Sequence, residues 1–495
     1  MNSSRSSQKR DDSSTFRRVT PFDMFYQLTY MSAMASSGIS RSKLFLIAAQ
    51  SQCTASPYFH AINNLVEEVR YDYPEACRLV GTRSKSENMR TFLFRLADSL
   101  RSGEPLPEFL TREAEVQSDD YRNEYERNLE NLKQWTNAFS SITISVGLII
   151  IIQMITAMIY STSVNTIAML VLGGAMMSGF GVWIIFRSAP RELMNVTPSK
   201  GSEQQRRALR LFKIVVPVSV LVGALMALVS GSLGIALLSA GACLLPVGVI
   251  SMMSDRVTNK KDVEFGTLLR SIGGIATSSG TTLKQALGRI ELSSFPALEE
   301  DIQRLATRLV ARIDPDICWR QFGLETGSRL ISEVSSVFYG AVKIGGDPER
   351  VGYVCSLFVA RSTQLRAKRR LVAGTFSALA TVMHSMVTGL IVFVLAIVNS
   401  FSIMVEKLSA EQMDNSMNGE QMMSLGLAEF TPEDLARLGV IAIFMVLVVA
   451  VTSSSAVIVA DGGLKLKFCF YLALTIFIAG VCFIAVPPLV AGILK

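Results

Sequence analysis

Residues 262–371 decide the fold, and within them stand Ser278-Ser279-Gly280, Asp314-Pro315-Asp316-Ile317-Cys318 and Gly346-Asp347-Pro348. A basic cluster then leads into the next apolar run; its members are Arg366, Lys368, Arg369 and Arg370. Glycine commonly ends a helix, and an acid followed by proline commonly starts one. The stretch therefore predicts an antiparallel bundle of consecutive helices, with strongly apolar sequence on both sides.

The first three landmarks also occur earlier in the chain, in the same order. Ser36-Ser37-Gly38, Tyr73-Pro74-Glu75-Ala76-Cys77 and Gly103-Glu104-Pro105 precede them by 242, 241 and 243 residues. Three matches in register indicate an internal duplication, with a period too long for a solenoid. We therefore expect two copies of one helical domain.

The rest of the chain has the composition of a polytopic membrane protein. The 495 residues are 49% hydrophobic, with a mean hydropathy of +0.37. Seven apolar runs are each long enough to cross a hydrocarbon core of ~30 Å as a helix. They cover residues 138–160, 164–186, 212–229, 233–253, 376–404, 438–460 and 468–494.

The predicted fold is all-α: about seven transmembrane helices and two duplicated cytoplasmic helical-bundle domains. A disordered tail (1–20) precedes the first domain (21–137), and four spans with a cytoplasmic linker at 187–211 follow (138–253). The second domain (254–375) precedes three spans with an external acidic loop at 405–437 (376–495). This threading leaves all but three of the 48 Lys and Arg residues inside, so the N-terminus is predicted cytoplasmic and the C-terminus external.

Residues that carry chemistry are scarce. The cores of the seven runs hold no Asp, Glu, Lys or Arg, and His384 is expected to pack or bond to backbone rather than relay protons. There is no P-loop, no H-E-x-x-H, no G-x-S-x-G and no C-x-x-C. We expect no catalytic residue, no metal, no cofactor and no nucleic-acid partner.

Two sets of residues have both a structural and a functional interpretation. Basic residues beside the spans fit either topology and lipid contact or docking of an acidic cytoplasmic partner: Arg366, Lys368, Arg369, Arg370, Arg206, Arg207 and Arg210. The corner residues are expected to end and start helices rather than to contact a partner: Gly38, Gly103, Glu104, Pro105, Gly280, Gly346, Asp347 and Pro348.

Small residues in the second span favour close helix packing. Gly173-Gly174 and Ser178-Gly179 form a small-xxx-small pattern. The sequence leaves open whether this contact lies inside one chain or between two copies.

The arrangement resembles the type II secretion system F domain family. The stretch 102–110, Ser-Gly-Glu-Pro-Leu-Pro-Glu-Phe-Leu, is similar to that family's inter-helix corner, and 280–287, Gly-Thr-Thr-Leu-Lys-Gln-Ala-Leu, to its helix-starting motif. The overall plan is similar to the archaeal platform proteins of the archaellum and of type IV pili. The insertion Ser40-Arg41-Ser42 in the first copy departs from the second.

The resemblance implies a non-catalytic membrane platform for filament assembly. Its expected partners are a hexameric cytoplasmic assembly ATPase, pilin-like or archaellin subunits, and a second copy of the chain in the membrane. The alternative is a transporter or channel of an unfamiliar class, which would need polar groups inside the spans. Archaellum, adhesive pilus and secretion roles stay open.

Overall fold

The structure, a computed structural model, describes residues 16, 18–51, 53–160, 164–190, 192, 194–199, 201–414 and 432–493. These residues are almost entirely α-helical, which confirms the predicted all-α class. The helices are α1 (Pro21–Ala35), α2 (Arg41–Gln50), α3 (Ser56–Glu67), α4 (Tyr73–Thr82), α5 (Glu87–Ser102), α6 (Leu106–Tyr160), α7 (Val164–Ser188), α8 (Glu203–Ser230), α9 (Leu233–Ser278), α10 (Leu283–Gly288), α11 (Glu299–Val310), α12 (Pro315–Glu325), α13 (Arg329–Lys343), α14 (Pro348–Asp414), α15 (Pro432–Asp461) and α16 (Phe468–Ile493).

Three predicted segments lie wholly or largely outside the described residues. They are the tail 1–20, of which only residues 16 and 18–20 are described, the turn at 161–163, and the part of the acidic loop at 415–431.

The helix ends show why the corner residues recur. Gly103 follows α5 with a φ of 77°, a left-handed conformation that glycine adopts without a steric penalty. Before α14, Gly345 rather than Gly346 has the positive φ, 103°. Asp347 then caps α14, because its Oδ2 accepts a hydrogen bond from the amide of Arg350 at 3.2 Å. The chain thus ends α13 and starts α14 with only four residues between them.

The described chain divides into two compact units. Unit 1 comprises Met1–Glu126 and Thr258–Leu365, and unit 2 comprises Arg127–Val257 and Arg366–Lys495. Both predicted helical copies contribute to unit 1. Their limits at 137 and 375 remain our proposal.

Within unit 1, the two predicted copies contact each other through aromatic side chains. The ring of Phe25 in α1 lies 4.6 Å from that of Phe358 in α14, centroid to centroid. Ser37 also donates a hydrogen bond to the carbonyl of Ala341. Trp319, almost fully buried in α12, packs edge-on against Phe338 of α13 at 5.8 Å. Phe25 and Phe358 thus pack the two predicted copies against each other.

An ion pair between α11 and α12 stabilises the second copy. Arg308 donates to both carboxylate oxygens of Glu325, at 2.9 and 2.7 Å. Burial alone would raise the pKa of Glu325, but the hydrogen bonds from Arg308 and Gln321 hold it below its usual range. The carboxylate therefore stays ionised at neutral pH.

Unit 2 contains the helical segments of membrane length. Seven described helices are long and apolar enough to span a bilayer, namely α6, α7, α8, α9, α14, α15 and α16, three of which also run through residues of unit 1. This confirms the predicted number of spans and a multi-pass membrane protein. The central apolar cluster of unit 2 includes Ile151, Val171, Ile391 and Met445.

Glycines at a seven-residue spacing let α9 approach α16 closely. Gly234, Gly241 and Gly248 recur along one face of α9. A Cβ at Gly248 would lie 2.5 Å from the Cα of Phe470, and one at Gly241 would lie 3.1 Å from the amide nitrogen of Phe477. Small residues at a contact are typical of tightly packed membrane helices. The two backbones could not approach this closely with larger side chains there.

Some of the small residues of α7 pack against α6 of the same chain. A Cβ at Gly174 would clash with Val146 of α6, and one at Gly181 would lie 2.7 Å from the ring of Phe139. A Cβ at Gly173 or Gly179 would meet no atom within 4 Å among the described residues. The face of α7 that carries Gly174 and Gly181 is therefore an internal helix contact.

Candidate functional site

The predicted basic residues lie on α14 and on the start of α8, and the structure gives them different environments. Arg366 is buried: its side chain is 2% exposed and that of Glu192 is 6% exposed. The Nε and Nη2 atoms of Arg366 donate to Oε1 of Glu192 at 2.8 and 2.7 Å. This pair joins α14 to the linker that follows α7.

Arg369 binds backbone rather than a carboxylate. Its side chain donates to the carbonyls of Ala460 at 2.9 Å and Val459 at 3.0 Å, near the C-terminal end of α15, and to that of Pro190 at 2.9 Å. Carbonyls at a helix C-terminus lack partners within the helix and carry partial negative charge, so a guanidinium suits them. Gly462 has a φ of 70°, and a Cβ there would clash with the guanidinium. The turn after α15 is thus shaped around Arg369.

A third buried cation, Lys467, lies directly before α16. Nζ of Lys467 contacts the carboxylates of Asp255, at 2.9 Å, and of Asp461, while its own side chain is 4% exposed. Asp255 also accepts a hydrogen bond from the amide of Leu464 at 3.1 Å and one from Asn195 at 3.4 Å. Burial of a charge is costly unless the charge is paired and hydrogen-bonded, as these are.

We call these six residues the buried charge network: Glu192, Asp255, Arg366, Arg369, Asp461 and Lys467. Three are formally positive and three negative, so the network is neutral overall. Its members come from α9, α14, the end of α15, the turn between α15 and α16, and the linker after α7. Such networks contribute little net stability, but removing one partner is strongly destabilising because it leaves a buried charge unpaired. The network therefore holds these segments in one arrangement.

This network was not predicted from the sequence. Arg366 and Arg369 were predicted as members of one basic cluster beside a span, although their spacing of three places both on one face of a helix. The available signal was Asp461 next to Gly462-Gly463, a carboxylate at the end of an apolar run with a lysine six residues later.

The remaining predicted docking residues are accessible. Lys368, Arg206, Arg207 and Arg210 are exposed, and Arg370 is partly buried. Arg207 pairs with Glu203 one helical turn earlier, a contact of the kind that contributes little when exposed. The structure thus separates the seven residues: Arg366 and Arg369 are buried and bonded within unit 2, Arg370 is partly buried, and the other four present charge at the surface.

His384 has the environment that the sequence predicted. Its side chain is fully buried, and Nε2 lies 3.1 Å from the carbonyl oxygen of Thr475 on α16. This contact joins α14 to α16 through backbone. No group of three or more His, Cys, Asp or Glu side chains among the described residues is placed to hold a metal ion.

Comparison with known proteins gives a match to one family model and to two curated relatives. Residues 28–155 match the family model described as type II secretion system (T2SS), protein F. The chain is 26% identical over 306 residues to "Flagella accessory protein J" of Methanocaldococcus jannaschii, covering 60% of this chain and 54% of that protein. It is 24% identical over 319 residues to "Flagella accessory protein J" of Methanococcus voltae, covering 62% and 57%. The chain thus spans about half the length of these relatives, and no solved structure matches it.

Proposed function

Since the chain carries a type II secretion system protein F domain, we propose that it is the membrane platform on which an archaellum-like or type IV pilus-like filament is assembled. The observation that carries this proposal is the match over residues 28–155, which extends from α1 into the membrane-length part of α6. Its proposed partners are a hexameric cytoplasmic ATPase, pilin-like subunits and a second copy in the membrane. In this proposal the chain has no catalytic activity of its own.

A platform of this kind needs a mechanical link between the part that receives force and the part in the membrane. The chain passes between unit 1 and unit 2 at residues 126–127, 257–258 and 365–366, and each passage lies within a helix, α6, α9 or α14. A helix carries displacement along its axis because its backbone hydrogen bonds resist stretching and bending. We propose that these three helices are the coupling elements and that the buried charge network anchors α9 and α14.

The proposed docking surface for the ATPase is the exposed part of the predicted basic set, namely Lys368, Arg206, Arg207 and Arg210. We exclude Arg366 and Arg369 from this surface, because a guanidinium bonded inside unit 2 cannot also bind a partner's carboxylates. Exposed charges of this kind mainly set the association rate and the register of a complex, and they weaken with salt.

Reversing three of these charges tests the docking surface. The variant Arg206→Glu, Arg207→Glu, Lys368→Glu should insert and fold as the parent does, since none of the three is buried. Its affinity for the purified assembly ATPase should fall by about tenfold or more, because each substitution replaces attraction by repulsion. Binding of the parent should also weaken as salt rises. Affinity measured with detergent-solubilised protein gives the comparison.

Arg437→Glu is the control for that experiment. Arg437 is exposed and lies at the start of α15, which our threading places outside the cell. Its reversal should leave ATPase binding unchanged. If the triple variant binds the ATPase as tightly as the parent does, the exposed basic residues serve topology and lipid contact, and the docking surface is wrong.

The proposed orientation places both helical copies and the linker at 187–211 in the cytoplasm and the loop at 405–437 outside. It rests on the distribution of Lys and Arg. Single cysteines in a cysteine-free variant should be labelled by an impermeant thiol reagent from outside at Ser232 or Asp414, and only from inside at Arg206. Labelling of Asp414 from the inside alone would reject this orientation.

A further inference from the structure

Two arginines have a backbone conformation that the chain elsewhere gives to glycine. Among the described residues, Arg70 and Arg312 are the non-glycine positions with positive φ, at 64° and 56°. Seven glycines have the same sign of φ, Gly103 among them. The two arginines lie 242 residues apart, the offset at which the landmarks of the duplication recur.

The two turns have the same plan. Arg70 lies between α3 and α4, and Arg312 lies between α11 and α12. In each turn an aspartate follows two residues later and caps the next helix through Oδ1: Asp72 accepts from the amide of Glu75, and Asp314 from that of Asp316, both at 3.0 Å. We call Val69-Arg70-Tyr71-Asp72 and Ala311-Arg312-Ile313-Asp314 the arginine turns.

Glycine would form these turns at lower energetic cost. A side chain in the left-handed region strains the backbone, and the chain uses glycine after α5 and α8. Strain held at a specific position points to a function for the side chain. Here the same side chain occupies the same strained position in both copies.

The turns present an arginine and an apolar residue to solvent. Arg70 and Arg312 are exposed, and each is followed by a large apolar residue that is also exposed, Tyr71 at 40% and Ile313 at 43%. No hydrogen-bond or ion-pair partner is described for either guanidinium. Val310, 66% exposed, enlarges the apolar area of the second turn. Arginine beside exposed apolar side chains is typical of protein interfaces.

The surroundings limit what can bind. Glu67, Glu68 and Asp72 flank Arg70, so a broadly acidic surface would be repelled there. A single carboxylate, bonded to the guanidinium and set beside an apolar side chain, fits both turns.

We propose that the arginine turns are a matched pair of contact sites for two identical faces of one oligomeric cytoplasmic protein. Two equivalent sites suit a partner that repeats the same face, as a ring of identical subunits does. This inference rests on the proposed function, which identifies the partner as the assembly ATPase. It adds a second docking surface, on unit 1, to the basic surface on unit 2.

Substitution by glycine separates the side chain from the backbone. Arg70→Gly and Arg312→Gly remove the guanidinium and relieve the strain of the positive φ, which offsets the greater entropy of glycine in the unfolded chain, so both variants should be about as stable to heat as the parent. Each should weaken binding of the purified assembly ATPase by the full-length, detergent-solubilised chain by about tenfold or more, because loss of either site removes the avidity of paired binding. The double variant should bind no more tightly than either single variant. Lys284→Gly, an exposed cation in α10 of unit 1, controls for loss of charge and should bind as the parent does.

The outcomes separate the two proposals. If the parent does not bind the ATPase, the proposed function fails, and this inference fails with it. If the parent binds and the two glycine variants bind equally well, the arginine turns are not contact sites, while the proposed function stands. If only one variant loses affinity, the matched pair is wrong.

Discussion

Arg369→Gln lowers the free energy of unfolding by about 3 kcal/mol or more, whereas Lys368→Gln, at the neighbouring residue, leaves it unchanged. Arg369 donates to the carbonyls of Pro190, Val459 and Ala460 from a side chain that is 2% exposed. Glutamine is shorter and uncharged, so it leaves buried carbonyls without donors. Thermal unfolding of the detergent-purified variants gives the comparison.

One further variant and one further measurement test the same contact. Arg369→Lys keeps the charge but lacks the planar fork of donors, so its stability should lie between those of the parent and the glutamine variant. Lys368→Gln should weaken ATPase binding without loss of stability, because Lys368 is exposed. Equal stability of the Arg369→Gln and Lys368→Gln variants would show that the buried position of Arg369 does not hold the segments together.

Lys467→Met should also lower the free energy of unfolding, by about 3–5 kcal/mol, which is the range for breaking a buried ion pair. Lys467 is the described cation that contacts both Asp255 and Asp461, and its removal leaves two carboxylates close together in a buried site. We expect little folded protein in the membrane fraction and a lower unfolding temperature for what remains.

Neutralising the carboxylates should recover part of that loss. The variant Asp255→Asn, Asp461→Asn, Lys467→Met removes all three charges, so no charge stays buried without a counterion. It should be more stable than Lys467→Met alone. If the triple variant is less stable than the single one, the damage comes from lost packing and not from unpaired charge.

The membrane architecture was predictable because hydrophobic length and charge bias act through the bilayer itself. A run such as residues 233–253 must be helical to satisfy its backbone in lipid, whatever the rest of the chain does. The helix corners were predictable for a similar reason, since glycine after a helix and aspartate before one, as at Gly103 and Asp347, act locally.

The charge network was not predictable, because charge identity does not say which way a side chain points. Arg366, Lys368 and Arg369 are neighbours in sequence, yet two bond inside unit 2 and one is exposed. Their partners Glu192, Pro190 and Ala460 come from segments far along the chain. Which of these side chains is buried depends on how five segments pack together, and no local sequence pattern indicates that packing.

The central claim is that this chain is required to assemble a filament, and filament counts in a deletion strain test it most directly. Cells that lack the chain but keep the assembly ATPase and the filament subunits should show no filaments by electron microscopy. The parent chain supplied in trans should restore them, and Arg369→Gln should not. If cells without the chain assemble filaments in normal number, the chain is not the platform.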